Sequence, residues 1–290
     1  ENNQNVELDG TTVEYRGVKE GIYVDNNASL LMKNSELIYA NTSGDSYGIY
    51  ALGNGAVEID SSSFVLVKGD VAGVGIKNNS GLTVDGLVVT ERGAAVMANS
   101  SNVEINGMLL TYNADKAVDS ENSKFVNNGD ILIELDNNGT ALYAKNNTET
   151  KNYGTITSYD NVVNIIPGTN QFSGHFTNYG TITARSSGGT AIEFGNGEGV
   201  LELMSSSAVN GKIEGGAGEK ILVNNANTVF GDVNNFTKIV SHGNSVINST
   251  VNLKPAVNSD VYYTSAFSGA KSVSTDLASD TSVGNLVING

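Results

Sequence analysis

Apolar and polar residues alternate in short phrases that return along the chain. Examples are Val6-Glu7-Leu8-Asp9-Gly10, Val57-Glu58-Ile59-Asp60-Ser61, Leu82-Thr83-Val84-Asp85-Gly86 and Val103-Glu104-Ile105-Asn106-Gly107. A period of two over four residues predicts a strand with one buried face. Equivalent starts fall at Val6, Leu30, Val57, Leu82, Val103, Phe125, Thr150, Phe176 and, less cleanly, Val200, so successive gaps are 24, 27, 25, 21, 22, 25, 26 and 24 residues by subtraction. A recurring period of this size is the mark of a stacked-repeat protein, in which each unit buries its apolar face on its neighbours.

Two further segments complete each unit. The second reads Glu36-Leu37-Ile38-Tyr39, Phe64-Val65-Leu66, Leu87-Val88-Val89, Met108-Leu109-Leu110 and Ile131-Leu132-Ile133. The third reads Gly21-Ile22-Tyr23-Val24, Gly48-Ile49-Tyr50-Ala51, Gly73-Val74-Gly75-Ile76 and Ala141-Leu142-Tyr143-Ala144. Three strands per turn predict an all-β fold: a right-handed parallel β-helix with three-strand rungs, about nine of them, over residues 1–230. The L-x-x-L-x-L consensus of leucine-rich repeats is missing. After Phe230 the period fades, and residues 231–290 are expected to be irregular β structure, either a cap or, by preference, a continuation of the solenoid.

Rungs stack about 4.8 Å apart, which places equivalent residues above one another. The third strands then predict an inward column of Ile22, Ile49, Val74, Ala95, Ala117, Leu142, Val163 and Ile192. A second inward column runs Val24, Ala51, Ile76, Met97, Asp119, Ala144, Ile165 and Phe194, with Asp119 as an anomaly. The outward column between them reads Tyr23, Tyr50, Gly75, Val96, Val118, Tyr143, Asn164 and Glu193. Asparagines are expected in the turn after the third strand (Asn26, Asn54, Asn78, Asn99, Asn122, Asn146, Asn196). Others, Asn127, Asn152 and Asn178, fall inside the first strand, where stacked amides satisfy one another from rung to rung.

The phrases Asn127-Asn128-Gly129-Asp130-Ile131, Asn152-Tyr153-Gly154-Thr155-Ile156 and Asn178-Tyr179-Gly180-Thr181-Ile182 resemble the N-x-G-x-I repeats of passenger domains from Gram-negative type V autotransporters. The run Ala208-Val209-Asn210-Gly211-Lys212-Ile213-Glu214-Gly215-Gly216 is similar to the late rungs of such passengers. The likeness covers about residues 1–230 and is greatest to the large Asn-rich outer-membrane adhesins of the fusobacterial type. It implies a parallel β-helix exposed at the cell surface and exported across the outer membrane. It further implies an adhesin or rigid stalk in cell–cell or host attachment, within a longer protein that carries a signal sequence and a translocating barrel elsewhere.

Composition agrees with a turn-rich, all-β solenoid. There are 34 Gly, 2 Pro and no Cys among 290 residues, and 31 acidic against 16 basic residues give a net charge of −15. Nucleic acid is therefore not an expected partner, because little here neutralises phosphate. No apolar run approaches a membrane span, so direct membrane insertion by this segment is not expected either. The expected partner is a host or bacterial cell-surface protein or glycan, met by a monomer that carries no cofactor.

Candidate chemistry is sparse. His175 and His242 lie in turn-like surroundings with no G-x-S-x-G elbow. Asp60 and Asp85 are expected outward on adjacent rungs, about 4.8 Å apart. They read as a solvated acidic face, with a bridging calcium ion or a retaining-glycosidase pair as the alternatives. A polysaccharide-acting enzyme and a toxin-type passenger thus remain alternatives to the adhesin. The outward column is the leading candidate for ligand binding through Tyr23, Tyr50 and Tyr143, because tyrosine joins contact area to a polar handle.

Overall fold

The period of about 25 residues returns the chain to its starting position one strand-spacing further on, so each rung adds one strand to each of three sheets. In the computed structural model of the chain, residues 4–42, 46–135, 138–169, 173–225, 228–242, 246–247, 250–253, 261–263, 272–275 and 286–288 are described. Among them every regular element is a β-strand, and all pairings are parallel. Two sheets have eleven strands and the third has twelve, each joining every third strand of the chain except at the last step of the third sheet. This is the parallel β-helix predicted from the periodicity. The nine rungs read from the sequence are present, and pairing runs on past Phe230 through Val233–Phe236, Lys238–His242, Val246–Ile247 and Thr250–Leu253. Between residues 255 and 290 most of the chain lies outside the described residues; there Ser272–Thr275 pairs with Thr250–Leu253, and Val261–Tyr263 pairs with Leu286–Ile288.

The first sheet follows the predicted register closely. Val6, Leu30, Val57, Leu82, Val103 and Phe125 stand one above another, and Thr150 follows. The ninth position differs: Phe176 faces Leu201, which is fully buried, while the half-buried Val200 faces His175. A one-residue slip puts every side chain on the opposite face, so the apolar demand of the core selects Leu201.

A larger correction concerns the third sheet. Val74 pairs with Val96, Val96 with Val118, and Val118 with Leu142. The inward column therefore contains Val96 and Val118 in place of Ala95 and Ala117, and both valines are fully buried. The second inward column takes Ala98 and Ser120 in place of Met97 and Asp119. The anomaly at Asp119 disappears, since its carboxylate faces outward and pairs with Lys116 at 2.8 Å. Ser120 is buried with its hydroxyl accepting from Asn147 Nδ2 at 2.9 Å. Alternation failed here for a physical reason. In six rungs the third strand is entered through two consecutive buried residues, a small one and then the inward one: Gly48-Ile49, Gly73-Val74, Ala95-Val96, Ala117-Val118, Ala141-Leu142 and Ala191-Ile192. The tight corner between second and third strands buries both faces, so period two starts one residue later than the apolar run.

The same slip moves the turn. Pairing aligns Asn26, Gly53, Asn78, Ser100, Asn122 and Asn146 after the third strand, and all six have positive φ, from 46° at Asn26 to 67° at Gly53. Asparagine and glycine populate this left-handed region most readily, which explains the asparagine bias there. Ser100, not Asn99, holds the turn in its rung, and Asn54 stands one residue further along, also at positive φ.

The predicted internal asparagine ladder is present. Asn127 Nδ2 donates to Asn152 Oδ1 at 2.8 Å, and Asn152 Nδ2 donates to Asn178 Oδ1 at 2.7 Å. Each amide also donates to the carbonyl two residues on, at Gly129, Gly154 and Gly180, with distances of 3.0, 3.1 and 3.1 Å. All three side chains are fully buried. The glycine of the N-x-G phrase has its own cause. A Cβ on Gly129 would lie 1.9 Å from the Gly107 carbonyl oxygen, and one on Gly154 would lie 1.9 Å from that of Gly129. The corner packs backbone on backbone, and only glycine leaves room.

Two expectations test this register. Val118→Asp places an uncompensated charge in the core and is expected to cost about 3–5 kcal/mol, whereas Asp119→Ser removes a half-exposed pair and costs less than about 1 kcal/mol. Urea unfolding of both variants measures the difference; the register first read from the sequence, with Val118 outward, demands a cost below about 1 kcal/mol for Val118→Asp. Asn152→Leu leaves Asn178 Oδ1 without its donor and Asn127 Nδ2 without its acceptor. It is expected to lower stability by about 2 kcal/mol or more, while exposed Asn128→Ala changes it by less than about 0.5 kcal/mol.

Candidate functional site

With the register corrected, the outward column of the third sheet reads Tyr23, Tyr50, Gly75, Met97, Asp119, Tyr143, Asn164 and Glu193. Val96 and Val118 leave it for the core, so it is less apolar than predicted. The three tyrosines also do not form one surface. Tyr23 and Tyr50 stack with ring centroids 5.8 Å apart. Tyr143 stands four rungs beyond Tyr50, about 19 Å along the stack at 4.8 Å per rung. There Lys116 Nζ lies 3.7 Å over its ring while also holding Asp119. Tyr143 therefore belongs to a separate, charged patch.

Tyr47 joins the first pair. Its ring stacks on Tyr50 at 4.7 Å and 26°. On the next rung Gly75 leaves the space these rings fill, since a Cβ there would meet Tyr47 Cδ1 at 2.4 Å and Tyr50 Cδ2 at 3.0 Å. The result is a three-ring platform lying partly over bare backbone, with Tyr23 exposed at its end. Burial, with Asp25 and Tyr50 adding to it, pushes the Tyr23 phenol up, so it remains a neutral donor and acceptor at physiological pH. Tyr47 escaped the sequence reading because it stands outside the column. The sequence signal is the phrase Tyr47-Gly48-Ile49-Tyr50, which sets two tyrosines on one side of the rung that faces Gly75.

A second aromatic stack lies at the N-x-G corner, where Tyr153 and Tyr179 sit 4.4 Å apart at 12°. The recurring Asn-Tyr-Gly phrase carried this signal. It offers a two-rung aromatic surface that begins and ends with those two rungs.

Asp60 and Asp85 do lie on adjacent rungs, yet their carboxylates serve different neighbours. Asp60 accepts from Ser62 N at 3.0 Å, Ser63 Oγ at 2.7 Å and Asn34 N at 3.3 Å. Burial pushes its pKa up, but the hydrogen bonds from Ser63, Ser62 and Asn34 outweigh that and hold it below the usual carboxylate value. Asp85 Oδ1 instead accepts from Asn106 Nδ2 on the following rung at 2.7 Å. Asp60 thus organises its own turn, whereas Asp85 is tied to the following rung. Among the described residues no three His, Cys, Asp or Glu side chains gather where they could hold a metal ion.

His175 opens a first-sheet strand, not a turn, and its Nε2 lies 3.2 Å from Glu202 Oε2. The side chain of His242 lies outside the described residues. Late in the third sheet's outward column Glu193 pairs with Glu214. Asn234 Nδ2 and Asn235 Nδ2 donate to the two oxygens of Glu214 at 2.6 and 3.4 Å. Burial first, and then the Glu214 charge, pushes the Glu193 carboxyl above its ordinary value. Lys220 is fully buried, and its ammonium donates to the carbonyls of Gly197 and Ala217. Desolvation lowers its pKa.

No protein-family model, curated protein or solved structure matches the chain. Among the described residues no helix is long and apolar enough to cross a membrane.

The raised pKa of Glu193 has a defined consequence. A carboxyl whose pKa rises on folding stabilises the native state below its unfolded value, and that contribution is lost as pH rises through the folded value. Glu193→Gln is therefore expected to unfold at a higher temperature than the parent at pH 7. The difference closes as pH falls toward the ordinary value of 4.5. Thermal unfolding across that range measures it.

Proposed function

We propose that this chain is part of a surface-exposed autotransporter passenger and acts as a rigid adhesive stalk. The supporting motif is N-x-G-x-I, and each of its letters has a structural role: asparagine in a buried ladder, glycine at a closed corner, isoleucine in the core. Such a rung can be repeated without an end, which suits a long stalk. The observation that carries the adhesive part is the Tyr23–Tyr50–Tyr47 stack on the outer face of the third sheet. Rigid aromatic contacts with hydroxyl handles favour a protein or glycan on a neighbouring cell. The alternative of a polysaccharide-acting enzyme drew on Asp60 and Asp85, whose carboxylates are turned to separate hydrogen-bond partners.

The test is binding of the purified chain to intact bacterial and host cells. Tyr23→Ser, Tyr47→Ser and Tyr50→Ser combined are expected to reduce binding about tenfold or more with the β-sheet spectrum retained, whereas Tyr143→Ser leaves it within about twofold. Unchanged binding by the folded triple variant removes this face from the reading. Protease accessibility of the chain on intact cells tests the surface location separately.

A further inference from the structure

The outer face of the first sheet carries a groove of about 890 Å³ that extends from the first rung to the sixth. Strand pairing stacks Glu7, Leu31, Glu58, Thr83, Glu104 and Val126 along one side of it. Carboxylates therefore occupy alternate rungs, with Leu, Thr and Val between them. The parallel column two residues earlier includes Ala56 and Gly81, and this contrast in side-chain size opens the groove.

The groove is acidic and its charges are available. Glu58 is exposed and has no partner among the described residues. Glu104 is exposed and meets only Asn128 Nδ2, at 3.2 Å. Glu7 shares Lys33 with Asp9 at 3.8 and 3.7 Å, an exposed contact that leaves net negative charge. At the far end Lys124, the one lysine lining the groove, pairs with Glu149 at 2.9 Å, and Lys151, stacked on Val126, pairs with the same carboxylate, so the acidic stretch ends at Glu104.

We propose that this groove binds an extended basic polypeptide in the polyproline II conformation, with a Lys or Arg at every third residue. Spacing selects that conformation. Carboxylates two rungs apart are separated by about 9.6 Å. A polyproline II helix rises about 3.1 Å per residue and repeats every three residues, so equivalent side chains recur about every 9.3 Å. An extended β-strand repeats its face about every 6.7 Å and falls out of step after one interval. The floor of the groove offers side chains alone, because the sheet's backbone groups are bonded between rungs. That suits a ligand whose backbone stays solvated. Half-buried Leu31 and Val126 supply apolar contact for prolines between the cations. This inference goes beyond the adhesive reading and does not depend on it.

The experiment is fluorescence anisotropy with the full chain and a labelled peptide of about fifteen residues built from Pro-Pro-Lys repeats. Saturable binding that weakens with salt is expected. Combined Glu58→Gln and Glu104→Gln should lower the affinity about tenfold, with Glu14→Gln, on the second sheet, as an unaffected control. A peptide of the same composition with its lysines clustered, and an alternating Val-Lys peptide, should each bind more weakly by a similar factor. Equal binding of either peptide reduces the effect to unspecific charge and overturns the proposal. So does preferential binding of a cationic hexosamine oligomer, or an affinity unchanged by the double substitution.

Discussion

Everything in this protein depends on the backbone hydrogen bonds that join each rung to the next along parallel strands. They hold three sheets in one register, and that register turns a one-dimensional repeat into columns. Once the columns exist, each position is judged by its neighbours above and below. Asn127, Asn152 and Asn178 tolerate complete burial because Asn127 donates to Asn152 and Asn152 to Asn178, which leaves only Asn127 Oδ1, at the start of the ladder, without a partner among them. A single asparagine in the same place would be a buried polar group without full satisfaction. Gly129 and Gly154 are required because the corner brings one rung's carbonyl against the next rung's Cα.

The same logic governs the outer faces. Side chains that point outward along a solenoid are spaced by the strand separation, whatever their distance in sequence. Tyr23 and Tyr50 become a stack although 27 residues separate them. Gly75, one rung further on, makes room for the rings of Tyr50 and Tyr47. Glu7, Glu58 and Glu104 become an evenly spaced line of charge by the same rule. A solenoid is thereby suited to recognising extended, periodic partners, and its outer columns are where function is to be sought.

Parts of the site were legible in the residues and parts were not. Tyr23 and Tyr50 were found because the phrases Gly-Ile-Tyr-Val and Gly-Ile-Tyr-Ala repeat at the rung period. Tyr143 was grouped with them because it shares their column, but its place four rungs away, under Lys116, is a matter of stacking distance. Asp60 and Asp85 were correctly set on adjacent rungs. The direction of each carboxylate depended on Ser63 and Asn106, polar neighbours whose hydrogen bonds no periodicity reports. The groove on the first sheet went unread because its column mixes Glu with Leu, Thr and Val, and its meaning lies in alternation between rungs.

By itself the sequence determined the class of fold, the number of strands per rung and most of the first sheet's register. Period two along a strand and a period near 25 between strands leave few other solutions. Tertiary structure decided the register at Val96, Val118 and Leu201. At the corners before Val96 and Val118 two consecutive residues are buried and alternation loses its phase, and at Leu201 an apolar Val200 stands beside it, so only pairing with the rungs on either side identifies the inward residue. It also decided which outward residues act together, because rung-to-rung proximity is a property of the stack and not of the chain.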